Sequence, residues 1–140
     1  MTDRAFIDTN IWVYSHLKQK DDTKSDIATS LLENLPVLVI STQVLSEYYS
    51  AMLKNGIPDR LIQENLEVMI SVSEVQVIQI STIRLCHRLR MNNRFSYWDS
   101  LILASAIESN CQYLYSEDMQ NNQIIDKQVQ IVNPFQRNAL

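Results

Sequence analysis

Short β-branched runs alternate with helical patterns along nearly the whole chain, and this alternation most limits how it can fold. AFID (residues 5–8) and VLVI (37–40) are apolar runs of strand length, made of residues that suit a pleated, buried surface. Between them, TKSDIATSLLENL (23–35) spaces Ile27, Leu31, Leu32 and Leu35 for one helix face, and Pro36 stops it. TNIWVYSHL, directly after the first run, fits a short helix. STQVLSEYYSAMLKNG (41–56) predicts a helix capped by Ser41 or Thr42 and closed by Gly56 at C′. DRLIQENLEVMI (59–70) predicts another, with Pro58 at its N1 position. EVQVIQIS (74–81) alternates as a strand, TIRLCHRLRM (82–91) reads as a basic helix, and a further helix runs to about Ser109. CQYLYS (111–116) and VQIVN (129–133) complete the strands, the last stopped by Pro134. Strands separated by helices need crossover connections and pair in parallel. The expected fold is α/β: one three-layer α/β/α domain over residues 1–140, with a mostly parallel sheet of four or five strands.

Composition removes several chemistries. Gly56 is the single glycine of the 140 residues. A phosphate-cradling P-loop, a GxGxxG dinucleotide fingerprint and a GxSxG nucleophile elbow each need more than one. Two histidines (His16, His87) and two cysteines (Cys86, Cys111) rule out a zincin or a zinc knuckle by count. The two thiols are expected to be buried and inert. No apolar run approaches the ~20 residues of a membrane span, and MTDRAFID does not resemble a signal peptide. A cytoplasmic location is the expectation. The formal charge of −4 argues against coating nucleic acid by bulk charge. It leaves local binding open, and RLCHRLRMNNR (84–94) gathers Arg84, Arg88, Arg90 and Arg94 without an acid. That segment is either a solvated helix face or a grip for a nucleic-acid backbone.

Four acids stand where an α/β sheet places its sites, outside the carboxyl ends of the strands. Asp8 ends the first strand. Glu47 lies about one turn into the helix after the second, flanking the stripe of Val44, Tyr48 and Met52. Asp118 follows the fourth strand in YLYSED, with Glu117 as its competitor. Asp99 sits in FSYWDSLILASAIE (95–108), sharing a helix face with Ile102, Leu103 and Ala106. Each has a local explanation: Asp8 and Asp99 as helix caps, Asp118 as a turn residue, Glu47 as a surface glutamate. Their coincidence on one rim is harder to explain locally. Four carboxylates in a partly desolvated cleft repel one another, and few basic residues stand near them in sequence, Arg94 among them. A hard divalent cation, Mg²⁺ or Mn²⁺, is the natural partner. Such a carboxylate-held ion suits phosphodiester hydrolysis.

At these residues the chain resembles PIN-domain nucleases, and in particular VapC-type toxins of type II toxin–antitoxin systems. The matching pieces are FIDTNIWVY (6–14), STQVLSEYYSAM (41–52), YWDSLILASAI (97–107) and YLYSEDMQ through IVNPF (113–135). They occur in the family's order and span nearly the whole chain. The resemblance implies a metal-dependent endoribonuclease leaving 5′-phosphate and 3′-hydroxyl ends. It makes Asp8, Glu47, Asp99 and Asp118 the catalytic and metal-holding acids, with Thr9, Asn10 and Ser116 as supporting polar residues. It further implies an RNA substrate, a homodimer and a cognate antitoxin protein. A PIN-fold RNA-processing nuclease that is not a toxin, or a catalytically silent PIN scaffold, are the alternatives within the family. A haloacid-dehalogenase-type enzyme needs an acid at position 10, which is Asn10. A receiver domain needs an acid pair after the first strand and a lysine after the last, and neither is in place.

Overall fold

The computed structural model describes residues 2–17 and 23–136. In chain order the elements are β1 (Arg4–Ile7), α1 (Thr9–His16), α2 (Thr23–Asn34), β2 (Val37–Ser41), α3 (Thr42–Lys54), α4 (Asp59–Val72), β3 (Glu74–Gln76), α5 (Ile80–Asn92), α6 (Tyr97–Glu108), β4 (Tyr113–Tyr115), β5 (Ile124–Ile125) and β6 (Val129–Val132). They form a three-layer α/β/α fold. The sheet order is β3-β2-β1-β4-β6-β5, parallel except for the β5–β6 pair.

β1 is the centre of this sheet. Ala5, Phe6 and Ile7 are buried because β2 and β4 flank the strand and helices cover both faces. The first four helices pack in series, α1 on α2, α1 on α3 and α3 on α4, while α5 packs on α6. α6 is buried along almost its whole length, from Ser100 to Ile107. An all-round apolar helix of this kind is a core helix, and α6 meets the sheet at β2 and β4. Chain direction along the sheet switches between β1 and β4. At such a switch point the carboxyl ends of the strands open a crevice. Ile7, Tyr115 and Val132 end their strands in register there.

The helix signals act largely as expected. Ser41 Oγ caps α3 at Val44 N, and Gly56 follows the helix at φ +77°, a conformation glycine adopts without strain. Ser96 caps α6 by accepting from Asp99 N at 3.1 Å. Cys86 and Cys111 are buried free thiols.

Four expectations are corrected. The sheet has six strands, because the two-residue β5 escapes sequence patterning. Its turn to β6 holds Asp126 at φ +52° and Lys127 at φ +56°, closed by Gln128 N donating to Ile125 O at 3.0 Å. Two left-handed residues are the signature of a type I′ hairpin, but here no glycine announces it. The strand expected over 74–81 stops at Gln76. As an edge strand it has one neighbour only, and Gln79 and Thr82 form a reciprocal capping box that draws the following residues into α5. α5 therefore starts at Ile80, not Thr82. Pro58 is the N-cap residue of α4 rather than N1.

Candidate active site

The crevice at the β1–β4 switch point collects the acids one element at a time. Asp8 directly follows β1, and its N–H donates to Tyr115 O at 3.0 Å, extending the ladder by one residue. It is also the N-cap of α1, with Oδ1 accepting from Thr9 N at 2.7 Å. Oδ2 accepts from Ser116 Oγ at 2.7 Å. Ser116 is buried just past β4, and its Oγ also accepts from Asp118 N at 3.3 Å. Glu47 reaches the crevice from α3, where Thr9 Oγ1 donates to Oε1 at 2.8 Å. Asp118 is held by Asn10 Nδ2 at 2.9 Å. Asp99 enters from the first turn of α6.

Electrostatics ties the four together. Asp8 is 5% exposed, and its pKa is pushed up to about 7 by burial, with repulsion from Glu47 and Asp99 adding to the shift; the bonds from Ser116 and Thr9 oppose it. Asp99 is raised by burial first, then by Asp118 and Glu47, against the bond at Ser96. Asp8 thus feels the charges of Glu47 and Asp99, and Asp99 those of Asp118 and Glu47. Every donor bonded to Asp8, Glu47 and Asp118 in the hydrogen bonds above is neutral. None of the four arginines expected to grip nucleic acid bonds to these acids among the described residues. Arg88 pairs with Asp126 at 3.0 Å, and Arg90 donates to Phe95 O at 3.0 Å. Arg84 and Arg94 are exposed.

Glu117 behaves differently from its neighbour. It pairs with Lys24 and accepts from Tyr14 Oη at 2.6 Å. Its charge is balanced within the chain by Lys24, whereas Asp118 is bonded to Asn10.

Sequence reasoning missed Gln43. It is 9% exposed on α3, and its Nε2 donates to Glu47 Oε2 at 3.0 Å and to Trp98 O at 3.1 Å. Both partners can only accept, so the amide nitrogen must face them, which leaves Oε1 without a donor among the described residues. Gln43 thus ties Glu47 to the start of α6, one residue before Asp99. The i,i+4 spacing of Gln43 and Glu47 was the available signal.

Two hollows flank the acids. One of about 500 Å³ is lined by Gln43, Ser46, Glu47, Ile78, Trp98 and Leu101, among others. The other, about 360 Å³, lies between α1 and α3 and is edged by Thr9, Asn10 and Asp118. Among the described residues, no three His, Cys, Asp or Glu side chains stand close enough to form a ready-made metal cage. Among the described residues, the ligating atoms the crevice offers are oxygens of carboxylates, hydroxyls and side-chain amides. That chemistry fits a hard divalent ion that keeps waters among its ligands, and it does not fit zinc.

The PIN domain family matches residues 5–124 of this sequence. The chain belongs to the PIN domain family. Among curated proteins, sequence comparison finds no match. Several solved structures share the fold. A toxin–antitoxin complex from Klebsiella pneumoniae aligns with TM-score 0.72 at 19% identity, covering 95% of this chain and 99% of that one. VapBC2 from Rickettsia felis, bound to a DNA fragment from its promoter, aligns with TM-score 0.66 at 20% identity over 93% and 99%. The Mycobacterium tuberculosis toxin VapC20, described as cleaving the sarcin–ricin loop, aligns with TM-score 0.64 at 18% identity over 79% and 86%. Among the described residues no helix is long and apolar enough to cross a membrane.

Proposed function

We propose that this protein is a Mg²⁺- or Mn²⁺-dependent endoribonuclease and the toxin of a toxin–antitoxin pair. The observation that carries the nuclease reading is the convergence of Asp8, Glu47, Asp99 and Asp118 on one crevice, where Asp8, Glu47 and Asp118 are held by neutral donors and, among the described residues, no lysine or arginine is bonded to them. A fold gains nothing from gathering uncompensated carboxylates, since burial and mutual repulsion both oppose their ionisation. They are worth keeping if a cation from outside completes the site. Membership of the PIN family agrees with this. The toxin role draws on the neighbours described as toxins or toxin–antitoxin complexes, and a homodimer and an antitoxin partner follow from the same resemblance.

Asp8, Asp99 and Asp118 would hold the ion, with Glu47 alongside. Bound there, the ion supplies charge neutralisation at a phosphodiester undergoing attack. The chain's own residues set the geometry. Ser116 and Thr9 N fix both oxygens of Asp8, Thr9 Oγ1 and Gln43 fix both oxygens of Glu47, and Asn10 fixes Asp118. With Asp8, Glu47 and Asp118 oriented before substrate arrives, less reorganisation is left for the reaction itself.

The test is incubation of purified protein with structured RNA and MgCl₂ or MnCl₂, beside EDTA and an Asp8→Asn variant. Cleavage abolished by both EDTA and the variant is the expected result. Cleavage that survives Asp8→Asn would place the activity elsewhere. Cleavage of RNA by the active protein, with growth arrest on expression relieved by the protein encoded beside it, tests the toxin role separately.

A further inference from the structure

We infer that the hollow beside Glu47 is a subsite for one unpaired nucleobase of the substrate strand, stacked on Trp98. The inference rests on the nuclease reading above and adds where and in what form the strand is held. α6 is a core helix, yet Trp98, in its first turn, is 61% exposed. Trp12, the other tryptophan, is 3% exposed. An aromatic of this size left in water is a standing cost in apolar hydration. Trp98 is not a stray surface residue, because it lines the cavity of about 500 Å³ together with Ile78 and Leu101.

The hollow is continuous with the acids. Glu47 belongs to its wall, and Asp99 is the residue after Trp98. Its position is fixed from below, since Gln43 bonds at once to Glu47 and to the Trp98 carbonyl. Tyr97 supports the indole edge-on at 5.3 Å between centroids. A strand whose scissile phosphate lies over the acids therefore places an adjoining nucleotide at this wall. Its base meets an apolar lining with an exposed π face, the environment that single-stranded nucleic-acid sites use for stacking. Ser46, exposed at the rim, and the Glu47 carboxylate are the polar groups beside it. A base inside a duplex cannot offer its face to the indole, so the site selects unpaired RNA.

The experiment uses the uncleaving Asp8→Asn protein with Mg²⁺ and three probes: a single-stranded hexauridylate, the same backbone with abasic sites, and a duplex of equal length. Binding is read by tryptophan fluorescence and by a labelled-RNA titration. Hexauridylate should quench the exposed indole and bind at least about ten-fold more tightly than the abasic strand. Trp98→Ala should remove that advantage, and Trp98→Phe should restore most of it. Equal affinity for the base-bearing and abasic strands, or no change with Trp98→Ala, overturns the inference. So does a Trp98→Ala protein that changes oligomeric state in light scattering while keeping its RNA affinity, since the indole would then belong to a protein interface. Wild-type cleavage separates the two levels. RNA cleaved normally by Trp98→Ala with unchanged KM defeats the subsite alone. Base-dependent binding without any cleavage defeats the nuclease reading alone.

Discussion

Asp118 and Glu117 are neighbours in sequence, yet they belong to two differently built regions. On the Glu117 side, Lys24 supplies the countercharge, Tyr14 donates to the carboxylate, and the lysine sits 5.1 Å from the Tyr14 ring centre and 5.6 Å from that of Phe135. On the Asp118 side, the acids are met by Asn10, Thr9, Ser116 and Gln43, donors without charge. The first region is electrostatically complete. The second is held in shape and left negative. A carboxylate balanced by a lysine on its own chain has a structural role available. Carboxylates oriented by neutral groups around a buried Asp8 are arranged for a charge that, among the described residues, no group bonded to them provides.

The strongest way to break this contrast is at Asp8. Asp8→Asn should reduce RNA cleavage on the order of a thousand-fold or more, as removal of a group holding several kcal/mol of transition-state stabilisation does. The same change should make the metal-free protein more stable. Unfolded, Asp8 ionises near 3.8; folded, it does so near 7. Between those values the folded state holds a proton that the unfolded chain has lost, so stability falls as pH rises through this window and is level above it. The shift corresponds to on the order of 4 kcal/mol at pH above 7. Asparagine, also a good N-cap, should recover much of that and flatten the slope. Denaturant melts in EDTA between pH 4 and 8 measure it, and an Asp8→Asn protein less stable than wild type at pH 8 would sink the account of Asp8 as ionised at a cost to the fold. Mg²⁺ should raise the stability of wild type at pH 8 and leave the variant unmoved.

A smaller effect is expected one layer out. Thr9→Val removes the hydroxyl that orients Glu47 and leaves the backbone N–H on Asp8 intact. Cleavage should fall by about 10- to 100-fold, the usual cost of losing a partner of a metal-site carboxylate. Stability should change by less than about 1.5 kcal/mol. An unchanged kcat/KM would show that Glu47 needs no orienting.

The sequence showed the skeleton of this contrast and not its sorting. Strand–helix alternation marked the layers, and the positions of Asp8 and Asp99 at helix starts were readable because caps are local. Glu117 and Asp118 were inseparable because what divides them, Lys24 and Asn10, lies 93 and 108 residues away in the chain. Gln43 was passed over for the same reason: its bond to Glu47 is local, but its bond to Trp98 spans 55 residues. β5 was hidden by a hairpin turn built from Asp126 and Lys127 instead of glycine.

The arginines of α5 test how far the charge asymmetry extends. Arg88 and Arg90 are engaged at Asp126 and the Phe95 carbonyl, but both remain exposed to solvent. If they reach RNA phosphates, Arg88→Glu with Arg90→Glu should weaken binding and lower the slope of log affinity against log salt by about one for each phosphate no longer neutralised. A titration of labelled RNA at several salt concentrations decides this, and an unchanged slope removes both from the interface.

The smallest effects belong to the completed region, and they matter because the contrast depends on their being small. Glu117→Gln keeps a group that can accept from Tyr14 and lacks only the charge facing Lys24. Lys24 has 42% of its side chain exposed, so solvent screens the pair, and its loss should cost no more than about 1 kcal/mol. Cleavage should remain within about two-fold of wild type, because the Glu117 side chain is bonded to Lys24 and Tyr14 rather than to the four acids and solvent screens its charge from them. Asp118→Asn, one residue on, should instead weaken metal-dependent cleavage strongly. If Glu117→Gln proved as damaging to activity as Asp118→Asn, with folding intact by melting, then the internal lysine would not mark a carboxylate as structural. Glu117 would have to be counted among the acids that serve the reaction.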